Sequence, residues 1–346
     1  MKIPVGVLGA TGMVGQHFVK FLQNHPLFEL AWAGASDRSA GKKYSEATSW
    51  RLEGAMPEAA ANLTVDECKP GNAPKLVFSA TDSSVATEIE QSFARAGHLV
   101  VSNSKNHRMD ADVPLLVPEI NAAHLEIAKR QKQTRGWDGM IVTNPNCSTV
   151  VLTMALDPLK SFGIKRVIVT TLQAISGAGY PGVPSVDINA NVVPYIGGEE
   201  DKLETETQKI LGDIAGGQFV PLAATVSAHC NRVPVLDGHL ATVSVQFANK
   251  PSPADIRAAF DRYQGVLQHR NLPSAPKRPV IYMEQQDRPQ PRRDVERERG
   301  MAVFVGRLRE CPVFDYKFIA LGHNTVRGAA GAAVLNGELM HSEGLL

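Results

Sequence analysis

A chain of 346 residues, 43% hydrophobic and 21% charged, has the balance of a folded globular protein and more length than one ordinary core uses, so two domains are expected. With 36 basic and 35 acidic residues the net charge is +1, which argues against a nucleic-acid or anionic-membrane surface as the main function. No apolar run approaches the ~20 residues of a membrane span, residues 1–12 lack a secretory-signal pattern, and the four cysteines form neither a CxxC pair nor a disulfide framework. No metal site is expected, and a reduced, cytoplasmic setting is the default.

The first half alternates apolar runs with amphipathic stretches, as a parallel sheet with crossover helices does. Residues 3–8 read as a strand and 12–23 as a helix, with Val14, Phe18, Val19, Phe21 and Leu22 as its apolar stripe. Strands follow at 30–35, 75–79, 98–102 and 140–143, with a helix at 83–96 whose Val85, Ile89 and Phe93 lie four apart. After a helix at 149–159 and a strand at 165–174, the glycine- and proline-rich SGAGYPGVP must be loop. Residues 239–247 alternate apolar Ala241, Val243, Val245 and Phe247 with Thr242, Ser244 and Gln246, which predicts a half-buried, antiparallel strand. The mixed charges of 287–300 predict a solvated or intersubunit loop, and 325–335 a small-residue helix.

Gly9, Thr11, Gly12, Met13, Val14 and Gly15 fall between the first strand and the first helix. Glycines there let the backbone approach a pyrophosphate, and the helix N-terminus offers free N–H groups and a partial positive charge. At the end of the second strand Asp37 suits a ribose hydroxyl and so NAD, whereas Ser36, Arg38, Ser39, Lys42 and Lys43 suit a 2′-phosphate. The balance favours NADP.

Asn144-Pro145-Asn146-Cys147-Ser148-Thr149 sets a cysteine at a strand-to-helix junction. A helix N-terminus is expected to lower the thiol pKa, and its N–H groups can hold an oxyanion. Cys68, Cys230 and Cys311 read as small packing residues. A thiolate enzyme acting on a carbonyl needs a proton shuttle, usually histidine. His239 opens the alternating strand seven residues after Arg232. Either residue alone would read as structural.

GATGMVG, SNSKNHR with DVPLLVPEIN, NPNCST, LQAISGAGYPG, GGEEDKLETETQKIL, RVPVLDGH and GHNTVRGAAG occur in this order. Together they resemble the aspartate-semialdehyde dehydrogenase family, most similarly its archaeal and fungal branch, from Val5 to about Leu335. The resemblance implies an α/β chain. A Rossmann-type NADP-binding domain would span 1–146, completed by a C-terminal helix at 323–346. An α+β catalytic and dimerisation domain with a mostly antiparallel sheet would span 147–322, in a homodimer or homotetramer. It implies NADPH-dependent reductive dephosphorylation of L-4-aspartyl phosphate to aspartate 4-semialdehyde, in lysine, threonine, methionine and isoleucine biosynthesis. Cys147 would be the acyl-accepting nucleophile, His239 the acid/base, and Gln173 an orienting group. Arg232 would clamp the substrate carboxylate, Glu199 meet its ammonium, Arg108 and Lys202 hold phosphate, and Asn146 support the acyl site. Ser83, Ser176, Gly177 and Asn324 would complete the cofactor site. The alternatives are a malonyl-CoA reductase with the same cysteine chemistry and a non-catalytic NADP-binding sensor.

Overall fold

The computed structural model describes residues 1–267 and 270–346. Six parallel strands, β1 (Ile3–Leu8), β2 (Phe28–Ala35), β3 (Val65–Glu67), β4 (Leu76–Ser79), β5 (Leu99–Ser102) and β6 (Met140–Thr143), form one sheet in the order β3-β2-β1-β4-β5-β6. That is the dinucleotide-binding order, and it brings the C-terminal strand ends to one edge. Every residue of β4 and β5 is buried, because helices cover both faces.

Helix α1 (Met13–Leu22) buries Phe18, Val19 and Leu22, with the Phe18 ring stacked on Phe78 at 5.2 Å. Helix α2 (Ser83–Arg95) departs from the simple stripe: Phe93 is buried beside Ala86, Glu90 and Ala94, while Val85 is exposed. Val85 and Ile89 instead line the cleft at the sheet edge, so their spacing reports a cavity wall.

Helix α3 (Cys147–Leu156) leaves β6 and is buried at every position after Cys147. It packs on a second sheet built from β7 (Ile164–Gln173), β10 (Thr225–Arg232), β11 (His239–Phe247), β12 (Val280–Met283), β13 (Val303–Glu310) and β14 (Tyr316–Gly322), ordered β10-β7-β11-β14-β13-β12. Helix α4 (Glu199–Ile210) lies on β10 and α3. A short ribbon, β8 (Asp213–Ala215) with β9 (Gln218–Val220), stands apart. The large sheet is mixed. Three pairings are antiparallel, whereas β10 runs parallel to β7 and β12 to β13. Ala241, Val243, Val245 and Phe247 point into its core as their alternation predicts.

Two segments depart from expectation. Residues 287–300 hold two short helical turns around a fully buried Asp294, whose carboxylate accepts from Arg288 Nε (2.7 Å) and Gln290 N (2.7 Å). The tail begins as a π-helical turn, Val326–Ala330, and continues as helix α5 (Gly331–Ser342) against β4 and β5.

Candidate active site

Strand direction assembles the site. The loops after β1, β2, β4, β5 and β6 all emerge at one edge of the first sheet and carry Gly9–Gly12, Ser36, Thr81, Arg108 and Asn146-Cys147. In the second sheet Gln173 and Arg232 are register partners at the ends of parallel strands. β11 runs the other way, so His239 starts at that same edge opposite Gly322, and Asn324 follows just beyond.

The turn after β1 is made for close approach. Gly9 has φ +70°, and a Cβ there would meet Ala80 O at 2.6 Å. A Cβ on Gly15 would sit 2.2 Å from Gly9 O, so this glycine closes the turn from behind and does not line the cleft. No side chain caps α1, which leaves its first-turn N–H groups for an anion. A cleft of about 790 Å³ runs from this turn past Ser36, Asp37 and Ser83 to Arg108, Asn146 and Lys202. Thr11, Gly12, Met13 and Val14 also line it. Arg38 and Ser39 are not on its wall. Arg38 is exposed, and Asp37 turns its carboxylate onto the Arg38 N–H (2.8 Å). The loop therefore meets the cleft through Ser36 and Asp37.

Asn146 organises the nucleophile. Its Oδ1 accepts from Ser148 N (2.9 Å) and Thr149 N (3.2 Å), capping α3, while Nδ2 donates to both Glu199 oxygens (3.0 and 2.8 Å). Cys147 follows at the first helical position. It is half-buried beside Asn146, which does line the cleft, and lies so deep among protein atoms that burial, aided by Glu199, pushes the thiol up to about 12. Arg108, Arg232 and the Ser148 N–H pull the other way and lose. This corrects the expected lowering: desolvation and a neighbouring carboxylate outweigh a helix terminus whose N–H groups are already engaged by Asn146.

Glu199, buried at the start of α4, also accepts from Lys202 Nζ (2.7 Å) and Gln173 Nε2 (3.4 Å). Burial alone would raise its carboxyl, but Lys202, Asn146 and Gln173 together hold it below the usual carboxylate range. Lys202 is thus bound to Glu199 while still facing the cleft. Arg232 spends Nη1 on Ala174 O (2.8 Å), and among the described residues the rest of its fork makes no hydrogen bond.

His239 is 1% exposed, and its Nδ1 accepts from Ala174 N (3.1 Å). In the neutral ring the proton then sits on Nε2, which has no partner among the described residues. Burial first, then Arg232 and His323, lower its pKa to about 3, so the ring is neutral near pH 7 and presents a donor. Gly177 lies over both groups: a Cβ there would come within 2.9 Å of Arg232 Nη1 and His239 Cε1. Asn324 bridges the loops, donating to Ser176 Oγ (2.8 Å) and accepting from Gly238 N (2.8 Å). Ser176 faces a separate cavity of about 570 Å³ along α1.

Three site residues escaped the sequence reading. Glu206 and Lys209, both buried, continue the Glu199–Lys202 face of α4. Gly328, in the π-turn, presses on the nucleophile: a Cβ there would stand 2.6 Å from Cys147 Cβ. The 199, 202, 206, 209 spacing was visible as one helix face, and GHNTVRGAAG held the glycine.

Comparison with known proteins agrees with this architecture. Residues 4–128 match the semialdehyde dehydrogenase NAD binding domain and 156–327 the semialdehyde dehydrogenase dimerisation domain. Aspartate-semialdehyde dehydrogenase from Methanothermobacter thermautotrophicus is 48% identical over 344 residues, covering 98% of this chain and 99% of that protein. The chain belongs to the aspartate-semialdehyde dehydrogenase family. The Archaeoglobus fulgidus enzyme of that name is 48% identical over the full length of both chains. The crystal structure of the Candida albicans enzyme with NADP superposes with a TM-score of 0.93 at 45% identity, covering 100% of both. The family's two-domain plan is therefore the plan of this chain, and among the described residues no helix is long and apolar enough to cross a membrane.

Proposed function

We propose that this enzyme converts L-4-aspartyl phosphate and NADPH to aspartate 4-semialdehyde, phosphate and NADP through a thioester on Cys147. The observation that carries the reading is the meeting of a thiol, a carboxylate, a spare guanidinium fork and a proton-bearing imidazole nitrogen beside an uncapped helix start. Arg232 takes the substrate α-carboxylate as a bidentate pair, and Glu199 takes the ammonium. Arg108 and Lys202 receive the phosphate. An ammonium on Glu199 also cancels one of the two causes that raise the Cys147 thiol, so substrate binding favours the thiolate. A malonyl thioester carries no ammonium to meet that buried carboxylate, so the aspartyl substrate suits the site better.

Cys147 sulfur attacks the carbonyl carbon as the C–O bond to phosphate breaks; phosphate leaves with the electron pair and carries off the thiol proton. The bound dinucleotide supplies the hydride that reduces the resulting thioester. His239 Nε2–H donates to the oxygen as charge builds on it, and the C–S bond breaks to return Cys147 as thiolate. Gln173, held to Glu199 and Thr171, keeps that carboxylate oriented. The uncapped turn at Gly9–Gly12 and the wall of Ser36 and Ser83 fit a dinucleotide, and NADP is the one the Candida albicans relative was crystallised with.

We propose a functional boundary at residues 146/147, with 323–346 returning to the first domain, and a homodimer or homotetramer working in the cytoplasm. The four free thiols fit a reducing compartment. In the reverse direction, phosphate-dependent NADP reduction with aspartate semialdehyde should be robust, and malonyl-CoA with NADPH inactive. Cys147→Ser should bind NADP normally and lose nearly all turnover; substantial residual rate would sink the thioester assignment.

A further inference from the structure

Helix α4 carries Glu199, Lys202, Glu206 and Lys209 along one face, spaced three or four apart. The first two meet the nucleophile region. The second two reach across to the first domain. Lys209 Nζ donates to the carbonyls of Arg108 (2.8 Å), Asp110 (2.8 Å) and Val113 (2.9 Å). Glu206, 2% exposed, accepts from Arg108 Nη1 at Oε1 (2.9 Å) and from the Asn146 backbone N–H at Oε2 (2.7 Å). Arg108 is thus held twice from the other domain, by its main chain and by its guanidinium. Its Nη2 donates to Asn103 O (2.8 Å), and its Nε is buried without a partner among the described residues while the side chain lines the cleft.

We infer that Glu206 is a positioning residue: one carboxylate holds the anion-binding Arg108 and the turn before Cys147 in a single frame, fixing where phosphate sits relative to the sulfur. The inference rests on the reading of Arg108 as a phosphate contact. A carboxylate is needed because each oxygen must accept, one from a guanidinium and one from a backbone amide. An amide would set its NH2 against one of those donors. Arg108 would then lose its fixed orientation, although nothing that touches substrate had been removed.

The test uses the full-length enzyme in the phosphate-dependent direction, with inorganic phosphate as the varied ligand. Glu206→Gln should raise the phosphate KM about 10-fold or more, the scale of a lost charge-assisted hydrogen bond, and leave the NADP KM within about two-fold. Inorganic phosphate should also protect Cys147 from iodoacetamide less well in the variant, a readout independent of turnover. In an Arg108→Gln background the Glu206→Gln step should add little, because its effect passes through Arg108. Glu206→Asp keeps the charge with a shorter reach; it should shift the phosphate KM the same way, more weakly, and stands in if the amide variant fails to fold. An unchanged phosphate KM and protection in both variants, or full additivity with Arg108→Gln, would overturn the inference. Wild-type turnover that ignored phosphate would instead remove the functional reading beneath it, and the inference with it.

Discussion

At Cys147 two effects of one location oppose each other. The start of a buried helix supplies N–H groups that favour a thiolate, and the same burial removes the water a thiolate needs. Sequence can show the first effect, since NPNCST places the cysteine at a strand–helix junction. It cannot show the second, which depends on how the chain packs around the thiol, nor the added charge of Glu199 arriving from 52 positions downstream. His239 was singled out because it opens a strand whose alternation is clear, but its role and that of Arg232 came from the family resemblance, since either residue alone reads as structural. Glu206 was not, because a charge-rich helix reads as a solvated face until a second domain is packed against it. Gly328 makes the residue-scale prediction. Its missing side chain leaves Cys147 its place, and a methyl group there would have to displace the nucleophile. Gly328→Ala should lower kcat about 10²-fold, the scale of a roughly 1 Å misplacement, and cost about 1–3 kcal/mol of stability by overpacking. A variant with unchanged kcat and an unchanged Tm would show that the helix yields harmlessly.

Among the elements, those with strong periodicity were read correctly and those defined by another part of the chain were not. β11 alternates because one face is core, whereas Val85 and Ile89 on α2 keep a helical spacing to serve a cleft. The tail was seen as a small-residue helix, but not its π-turn, which packs Val326–Ala330 against Cys147 and the short helix Pro118–Asn121. Arg327 marks that fit. It is fully buried and donates from Nη1 and Nη2 to the two oxygens of Glu119 (2.6 and 2.7 Å). A pair like this adds little over a well-packed apolar replacement, but breaking it strands a charge in the interior. Glu119→Gln should therefore destabilise the protein by about 3–5 kcal/mol, and Glu119→Leu combined with Arg327→Met by clearly less. Urea unfolding of both variants decides it. A double variant as unstable as the single one would mean that the pair is needed for more than mutual neutralisation.

For the molecule as a whole, burial of neutral histidines sets the acid limit. Burial is the main cause that lowers His239 to about 3 and His17 and His124 to about 4, all from 6.5. As pH falls through 6.5 the unfolded chain takes up these protons and the folded chain does not, so stability is lost from there down to about pH 4. Glu90 and Asp157 act in the opposite sense, since burial raises both and the folded state then holds protons that the unfolded state releases. Three histidines against two acids leave a net proton uptake on unfolding that grows below about pH 6 and reaches roughly one proton near pH 5, or about 1.4 kcal/mol per pH unit there. Glu199, held low in the fold, adds a further loss once pH drops below the usual carboxylate range. At the alkaline end Cys147 and Cys230, raised by burial to about 12 and about 11 from 9.0, ionise in the unfolded chain first, so stability falls again above pH 9. Urea midpoints should accordingly be highest between about pH 7 and 9 and decline increasingly from about pH 6 to 4.5. Because His239 itself stays neutral until about pH 3, its protonation takes no part in turnover lost over this acid range, which circular dichroism measured in parallel divides between unfolding and the falling thiolate fraction of Cys147. A flat midpoint from pH 8 to 4.5 would show that these rings are not held neutral in the fold, and with it the assignment of His239 as a resident proton donor would fail.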